Sequence, residues 1–537
     1  MIPFSTVIVV IITLAWPLAL FIRYGVNRSG HPGPRELPLI GNLHQIPSDK
    51  LYLKFTEWSK VYGGFFVIKL GRTPAVVVTD RRVARELFDT NSTITSTRPA
   101  NYATDFVTGG THLLMARYGR LWREQRSILY QNVSPSMCDN KHMSLIESES
   151  TQLLRDLLQD PGPFSLHIKR CTTSIITCLT FGLRTPSYHS HHFIQLEEII
   201  AEWLHLIKIG SVLSEDIVPL VKYIPTSWMG SFISQLRCMR RRMHRLYGTM
   251  LANTVMRYEE GNRTRSIVHG ILDHPGKASL TKQQLETLTG VVLEGGYDTT
   301  SSMLHVFIQA MALHPEHQKR AQAELDTICG DSRSPKWSDR GQLPYINMIL
   351  KEVMRWRPVT PLAPPRLLTK EITVEGIRLD PGTILFLNTW GLHHDPSLIT
   401  NPECFDPTRY KGYTMLAADC ANSWNVANRD HYTYGIGRRI CPGIHLADRT
   451  LFIAMAKLLW GFRLELQRDE QGNLIPIDTD PRTGYTGDQV QVSPKPFFCC
   501  MTPRSRDHEE TIMREFSQAS EEVFAAFNAD ELVDSFI

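Results

Sequence analysis

The chain has little with which to carry its own metal clusters, disulfides or nucleotides. Its ten cysteines show no paired Cys-x-x-Cys spacing, and Cys499 and Cys500 are adjacent, so neither a zinc site nor a disulfide framework is supported. That usage fits a reducing compartment. The twenty histidines are scattered without metal-ligand spacing. No Gly-x-Gly-x-x-Gly follows a strand pattern, which argues against an internal dinucleotide-binding domain. A net charge of +4 is too small to argue for nucleic acid, and no dense basic tract with interleaved aromatics is present. There is no internal repeat.

Charge is also missing from Ile2 to Ile22, a run dominated by Ile, Val, Leu, Ala and Phe. Its length is about the twenty residues needed to cross a bilayer. Arg23, Arg28 and Arg35 follow it, whereas a cleavable signal peptide would carry positive charge before its apolar core and a small-residue cleavage site after it. Residues 2–22 are therefore expected to be a transmembrane anchor, with the bulk of the protein on the cytosolic side. Pro3 and Pro17 are tolerated in lipid. Residues 23–45 follow as a proline-rich hinge: three prolines between His31 and Asn42, namely Pro32, Pro34 and Pro38, fix φ and remove donors, which excludes helix and central strand.

Of the 537 residues 42% are hydrophobic and 21% charged, enough for a large buried core. Length alone would suggest two to four domains. Phe65 to Leu70 and Ala75 to Thr79 are β-rich runs broken by Gly71 and Pro74, a small sheet. Most of the chain from there to about Arg357 has helical periodicity or composition. Asp216 to Met229 is apolar and broken by proline ahead of a basic stretch, Arg237 to Arg245. From Asp507 onward nine acidic residues accompany one arginine, Arg514. Phe516, Val523, Phe524, Phe527, Leu532 and Phe536 would give that 506–537 tail an amphipathic helix; the alternative is a disordered acidic tail.

The most informative stretch is Tyr434-Gly435-Ile436-Gly437-Arg438-Arg439-Ile440-Cys441-Pro442-Gly443. One cysteine sits in a glycine-bounded loop with an arginine two residues before it. Positive charge keeps a thiolate ionised in a poorly solvated site, and turn glycines let backbone N–H groups approach the sulfur. This is how a chain holds a haem iron by a thiolate, which pushes electron density toward bound oxygen and favours O–O cleavage. The loop closely resembles that of the cytochrome P-450 superfamily, Phe-x-x-Gly-x-Arg-x-Cys-x-Gly, with Tyr434 standing where the family usually has Phe. That ring is expected against the thiolate side of the haem, where a hydroxyl would alter hydrogen bonding or solvent access around the sulfur.

Three further patterns follow the family's order. Gly295-Gly296-Tyr297-Asp298-Thr299-Thr300 resembles its distal-helix signature. Mid-helix glycine costs about 1 kcal/mol against alanine and lets the helix distort beside the iron. Asp298 and Thr299 then supply the acid and hydroxyl that deliver protons inside an apolar pocket. Glu352 and Arg355, spaced i, i+3 ahead of Arg409, resemble the family's buried charge network behind the haem, a structural role. Haem carries two propionates, so cations must accompany it into the fold. Trp122 and Arg126 have the family's Trp-x-x-x-Arg spacing, Arg366 follows Pro365, and Arg439 belongs to the cysteine loop. These three arginines, supported by Trp122, form the expected propionate set; His431 is left without a role.

The resemblance spans residues 32 to about 500. It implies a mainly α fold with a small β region, a haem-thiolate catalytic domain over 46–505, haem b as cofactor, and Cys441 as the metal ligand. It also implies an endoplasmic-reticulum location and a microsomal chain inserted in membrane lipid. Electrons would come from an NADPH-dependent flavin reductase, which the basic group Arg117, Arg120, Arg123, Arg126 and Arg438 would receive; cytochrome b5 is a second donor the resemblance admits. The function implied is insertion of one atom of O2 into a hydrophobic or aromatic substrate, as in fungal members acting on secondary metabolites. Desaturation, ring closure or phenol coupling by the same oxidant is the alternative. A non-catalytic haem-binding membrane protein is a third reading, against which Asp298 and Thr299 argue. Substrate walls are expected from Asn101 to Met115, Leu204 to Met229, the helix before Asp298, Val359 to Pro364, and Thr483 to Thr486, mainly apolar and with few charges.

Overall fold

The computed structural model describes residues 31–212, 230–262, 264, 266–273, 280–487 and 491–529. The expected anchor, 2–22, the whole Asp216–Met229 segment and residues 530–537 of the tail lie outside them. Among the described residues no helix is long and apolar enough to cross a membrane.

Helices dominate, as the periodicity predicts: α1 Leu51–Tyr62, α2 Tyr102–Thr108, α3 Arg120–Val133, α4 Met143–Gln159, α5 Phe164–Phe181, α6 His191–Val212 and α7 Gly230–Glu259 precede the longest, α8 Lys282–Leu313. After it come α9 Pro315–Ile328, α10 Pro344–Trp356, α11 Ile444–Gly461 and α12 Arg506–Glu522. Thr281 caps α8 through a capping box with Gln284, satisfying two end groups reciprocally. From Thr300 to Ala312 every residue of α8 is buried, so the helix runs through the core with no solvent face there. Alpha-5 packs along it closely: a Cβ on Gly296 would lie 2.5 Å from Ile176 Cγ1, and Thr172 Oγ1 donates to Tyr297 O at 3.0 Å.

The small β region is a four-stranded sheet. Strands β1 Phe65–Leu70 and β2 Thr73–Val78 form an antiparallel hairpin with Phe66 opposite Val77, turning at Gly71 with φ +61°. The neighbouring strands are β3 Arg366–Leu367 and β4 Ile384–Leu387, and the order is β1-β2-β4-β3, with β4 parallel to β2. Shorter pairings later in the chain, β5 Phe462–Leu466, β6 Tyr485–Gly487, β7 Val492–Pro494 and β8 Cys499–Pro503, join β5 to β8 and β6 to β7. The sheet places Arg366, on β3, next to the cysteine loop.

The described parts of the expected hinge and of the 506–537 segment both pack against the domain. The described part of the expected hinge lies along the edge of β1: Val67 N donates to Pro32 O at 2.8 Å, and Asn42 accepts from Lys69 N at 2.8 Å through its side chain. A Cβ at Gly33 would meet Val67 O at 2.0 Å. Proline carbonyls remain free acceptors, and an uncovered sheet edge needs partners.

The 506–537 segment begins as α12, whose His508, Thr511, Ile512 and Ala519 are buried against the core. There Glu515 accepts from Ser334 N at 2.8 Å, while buried Lys457 of α11 donates to Ser334 Oγ at 2.8 Å and Thr151 Oγ1 at 2.6 Å. Burial pulls the Lys457 ammonium down and the Glu515 charge pushes it back up.

Candidate active site

The cysteine loop owes its shape to glycine. Gly435 and Gly437 have φ +80° and +64°, and a Cβ at Gly437 would lie 1.8 Å from Phe88 O, so only glycine fits there. The loop closes when Cys441 N donates to Tyr434 O at 2.8 Å. Alpha-11 begins three residues later, putting the positive end of its dipole beside the sulfur. Burial pushes the Cys441 thiol up; Arg126 and the Gly443 N–H pull it back. A coordinated metal would complete that deprotonation. Tyr434 packs beside Cys441 and Ile444, and its hydroxyl is buried with no hydrogen-bond partner among the described residues. Burial first, then the charges of Asp448, Cys441 and Asp430, raise its phenol well above the usual range. His431 stands 5.5 Å from it, ring to ring.

Cys441 faces one cavity, and the opposite wall is α8. Thr299 Oγ1 donates to Gly295 O at 2.6 Å, and nothing lies within 4 Å of the Cβ position of Gly295, so that side of the helix is open to the cavity. Asp298 does not line this cavity. It faces a separate open cleft with Lys169, His305 and Ser493. Its carboxylate accepts from the Gln491 amide, and Gln491 in turn reaches the cavity wall. Burial raises the Asp298 carboxyl; Lys169 lowers it and Glu197 raises it further.

Trp122, Arg126, Arg366 and Arg439 all line the cavity, and so does Arg98. Arg439 is pinned by the carbonyls of Ser96, Leu113 and Ala116 at 2.8, 3.2 and 2.6 Å. Its guanidinium lies 4.4 Å from the centre of the Trp122 ring, whose N–H donates to the same Leu113 carbonyl. Arg98 donates to Pro365 O, and Arg366 Nη2 to Ile436 O. Arg366 Nη1 is buried without a partner among the described residues. No ion pair joins these four arginines to a carboxylate of the described residues. Burial pulls Arg98 down to about 10, and burial with neighbouring arginines pulls Arg366 to about 9 and Arg439 to about 8. A cluster of desolvated cations with one orphaned N–H is an anion site by its own chemistry, and a haem with two propionates fits it.

Behind the cavity, Glu352 and Arg355 are joined by two bonds of 2.7 Å, and Glu352 Oε1 also accepts from Asp406 N at 2.8 Å with Arg409 Nε at 3.5 Å. Arg117, Arg120, Arg123 and Arg438 are exposed on one side of this region.

Several residues of the site carry no signal that the sequence reading used. Arg98, between Thr97 and Pro99, matches no motif. Gln491 meets Asp298 across 193 residues of chain. Of the expected wall segments, His112–Met115, Leu204 and Ile207, the helix before Asp298, and Val359, Thr360, Ala363 and Pro364 contribute lining, whereas Thr483–Thr486 does not; Trp203, just before the second segment, lines it too. The wall is less uniformly apolar than expected, because His112 and Glu294 stand in it, 2.9 Å apart. The spacing of Glu294, one helical turn before Asp298, is the signal that would have found it.

A half-buried cysteine loop facing an open-sided helix across a cavity ringed by uncompensated arginines defines a haem-thiolate enzyme. The cytochrome P450 family profile matches residues 31–492. Cytochrome P450 monooxygenase verH of Penicillium polonicum is 58% identical over 519 residues, 96% of each chain. Cytochrome P450 monooxygenase yanC of Aspergillus niger is 47% identical, covering 95% of this chain and 96% of its own. Among solved structures, a zebrafish cytochrome P450 with abiraterone superposes with a TM-score of 0.67 at 24% identity, over 84% of this chain and 100% of that one, a likeness of fold. The chain belongs to the cytochrome P450 family. Its catalytic class is that of its relatives, a monooxygenase, and its cofactor is haem b.

Proposed function

We propose that this chain is a membrane-anchored enzyme of fungal secondary metabolism that inserts one oxygen atom of O2 into a hydrophobic or aromatic molecule. Electrons come from NADPH through a separate flavin reductase. The observation that carries the reading is the convergence on one cavity of Cys441 from the loop and of Thr299, beside the open face of Gly295, from α8. The fungal origin of the similar monooxygenases supports the metabolic setting. The uncharged run Ile2 to Ile22 supports the anchor and a cytosol-facing position on the endoplasmic reticulum.

Haem held by a cysteine thiolate supplies the activation of dioxygen. Cys441 would hold the haem iron through its sulfur. Arg98, Arg126, Arg366 and Arg439 would meet the propionates, and the Trp122 ring beside Arg439 keeps that guanidinium in place. Thr299 gives its own hydrogen to Gly295 O, which leaves its oxygen as an acceptor for a proton-bearing water. Asp298, with its raised carboxyl, takes up protons from the outer cleft, and Gln491, hydrogen-bonded to it, links it to the cavity wall. The exposed arginines Arg117, Arg120, Arg123 and Arg438 offer an acidic reductase, or cytochrome b5, a docking face.

The test compares metabolites of a host making the protein and a reductase with those of the same host carrying Cys441→Ala, while candidate aromatic precursors are fed. Products heavier by one oxygen support insertion. Products lighter by two hydrogens mean desaturation or coupling instead. No difference, with a reduced carbon-monoxide spectrum showing intact thiolate haem, overturns the proposed substrate class.

A further inference from the structure

Glu294 is the one acidic side chain among the described residues lining the cavity, and three separate elements hold it. His112 Nε2, from the segment after α2, lies 2.9 Å from Oε2, and Trp203 Nε1, on α6, donates to the same oxygen at 3.2 Å. Tyr247 OH, on α7, donates to Oε1 at 3.3 Å. The three donors are between 1% and 2% exposed, while the Glu294 side chain keeps 14% of its surface open. Tyr247 reaches α8 because position 290 is glycine: a Cβ there would lie 2.4 Å from the Tyr247 ring. Burial, then the Glu294 charge, holds the Tyr247 phenol well up, so it stays a donor. His112 Nδ1 is buried with no partner among the described residues, so Nε2 alone orients the ring.

A carboxylate fixed by three donors cannot turn away from the cavity. A carboxylate has about four acceptor sites, and Oε1 has spent one on a long bond. Structural needs alone do not explain the arrangement, since a buried polar cluster of this kind generally stabilises no better than apolar packing. We propose that Glu294 is the hydroxyl-recognition group of the substrate cavity, and that the substrate is an apolar molecule carrying one neutral O–H group, which donates to the Glu294 carboxylate. The inference rests on the monooxygenase reading of this cavity. Three donors already share the charge of Glu294, which leaves it an acceptor for a neutral hydroxyl, and Glu294 itself disfavours a carboxylate. His112, Trp203 and Tyr247 are positioning residues. They keep the acceptor one turn before Asp298, so the hydroxyl end of the substrate is held along α8 from Thr299 and a carbon is presented there instead.

The test uses the haem-loaded, full-length protein and three matched probes: 2-naphthol, naphthalene and 2-naphthylmethylammonium. Binding is followed by the haem absorption shift and independently by calorimetry. Wild type is expected to bind 2-naphthol roughly ten- to a hundred-fold more tightly than naphthalene, the range for a hydrogen bond to a charged group. Glu294→Leu removes that preference without weakening naphthalene, and Glu294→Gln keeps part of it. His112→Phe, outside α8, lowers the preference while leaving naphthalene binding alone, and stands in if Glu294→Leu fails to hold haem. Equal binding of naphthol and naphthalene by wild type, a preference retained in Glu294→Leu, or tightest binding of the ammonium overturns the inference and leaves the monooxygenase reading intact. Failure of all three probes to bind overturns both.

Discussion

The Glu352–Arg355 pair yields the sharpest stability prediction. Glu352 is fully buried and Arg355 is 1% exposed. Replacing Glu352 by alanine leaves Arg355 with the carbonyls of His393, Pro402 and Cys404 at 3.1, 2.8 and 3.2 Å, which solvate the cation only in part. Replacing Arg355 leaves the carboxylate with Asp406 N and Arg409. Each single change strands a buried charge and is expected to cost roughly 3–5 kcal/mol. Unfolding entropy of about 2.1 cal/mol/K per residue gives roughly 1 kcal/mol/K for a domain of roughly 500 residues, so each midpoint drops by about 3–5 °C. The double variant strands neither group, and its loss should fall short of the sum by about 2 kcal/mol or more. The assay is thermal loss of the reduced carbon-monoxide band of the thiolate haem, scanned at one rate for all four proteins. A single-variant shift below about 1 °C, or strict additivity in the double variant, would refute the reasoning.

Asp298→Asn cannot release a proton, so product formation should fall by roughly a hundred-fold with substrate binding intact; Gln491→Leu should give a smaller fall, and unchanged turnover in both would remove them from the proton path. Tyr434→Phe deletes a buried hydroxyl that has no partner among the described residues, so it should raise stability by about 1 kcal/mol, and a lowered midpoint would contradict this. Burial pulls the Arg98, Arg366 and Arg439 guanidiniums of the folded, haem-free protein down to about 10, 9 and 8, below the ordinary range. From about pH 8 upward the unfolded chain therefore binds more protons than the folded one, and stability of haem-free protein should rise with pH there. Loaded haem should flatten that slope, and equal slopes in urea titrations at pH 7.5 and 10 would count against the anion site.

Much of the site could be read in the sequence because its parts are short and local. Gly435, Gly437 and Cys441 lie within one loop, Gly295 to Thr299 within little more than one helical turn, and Glu352 and Arg355 one turn apart. What escaped depends on contacts between distant segments. Gln491 and Asp298 meet only after the β6–β7 hairpin packs beside α8, and Arg98 joins the arginine cluster because the sheet brings Pro364, Pro365 and Arg366 to it. That same packing turns Asp298 to the outer cleft and leaves Thr299 facing the cavity. Glu294 was covered by an apolar reading of its helix, since hydropathy registers the neighbours Val291, Val292 and Leu293 and not the three donors that meet its carboxylate. The composition after Asp507 leaves an amphipathic helix and a disordered acidic tail both open, and the face formed by His508, Ile512 and Ala519 is what docks α12.

The place of Glu515 gives the far end of the gene an unexpected weight. It lies beyond every motif that marks the catalytic domain, yet it supplies the counter-charge for Lys457, a lysine sunk in the helix that also follows the haem-binding loop. A premature stop codon or proteolytic nick between Arg506 and Glu515 would spare every residue that touches the cavity and still remove the stronger of the two carboxylates, Glu515 and Glu147, that support the buried Lys457 charge. Alleles truncated there should therefore behave as folding defects, recovered by cooling or by Lys457→Met, and not as defects of chemistry.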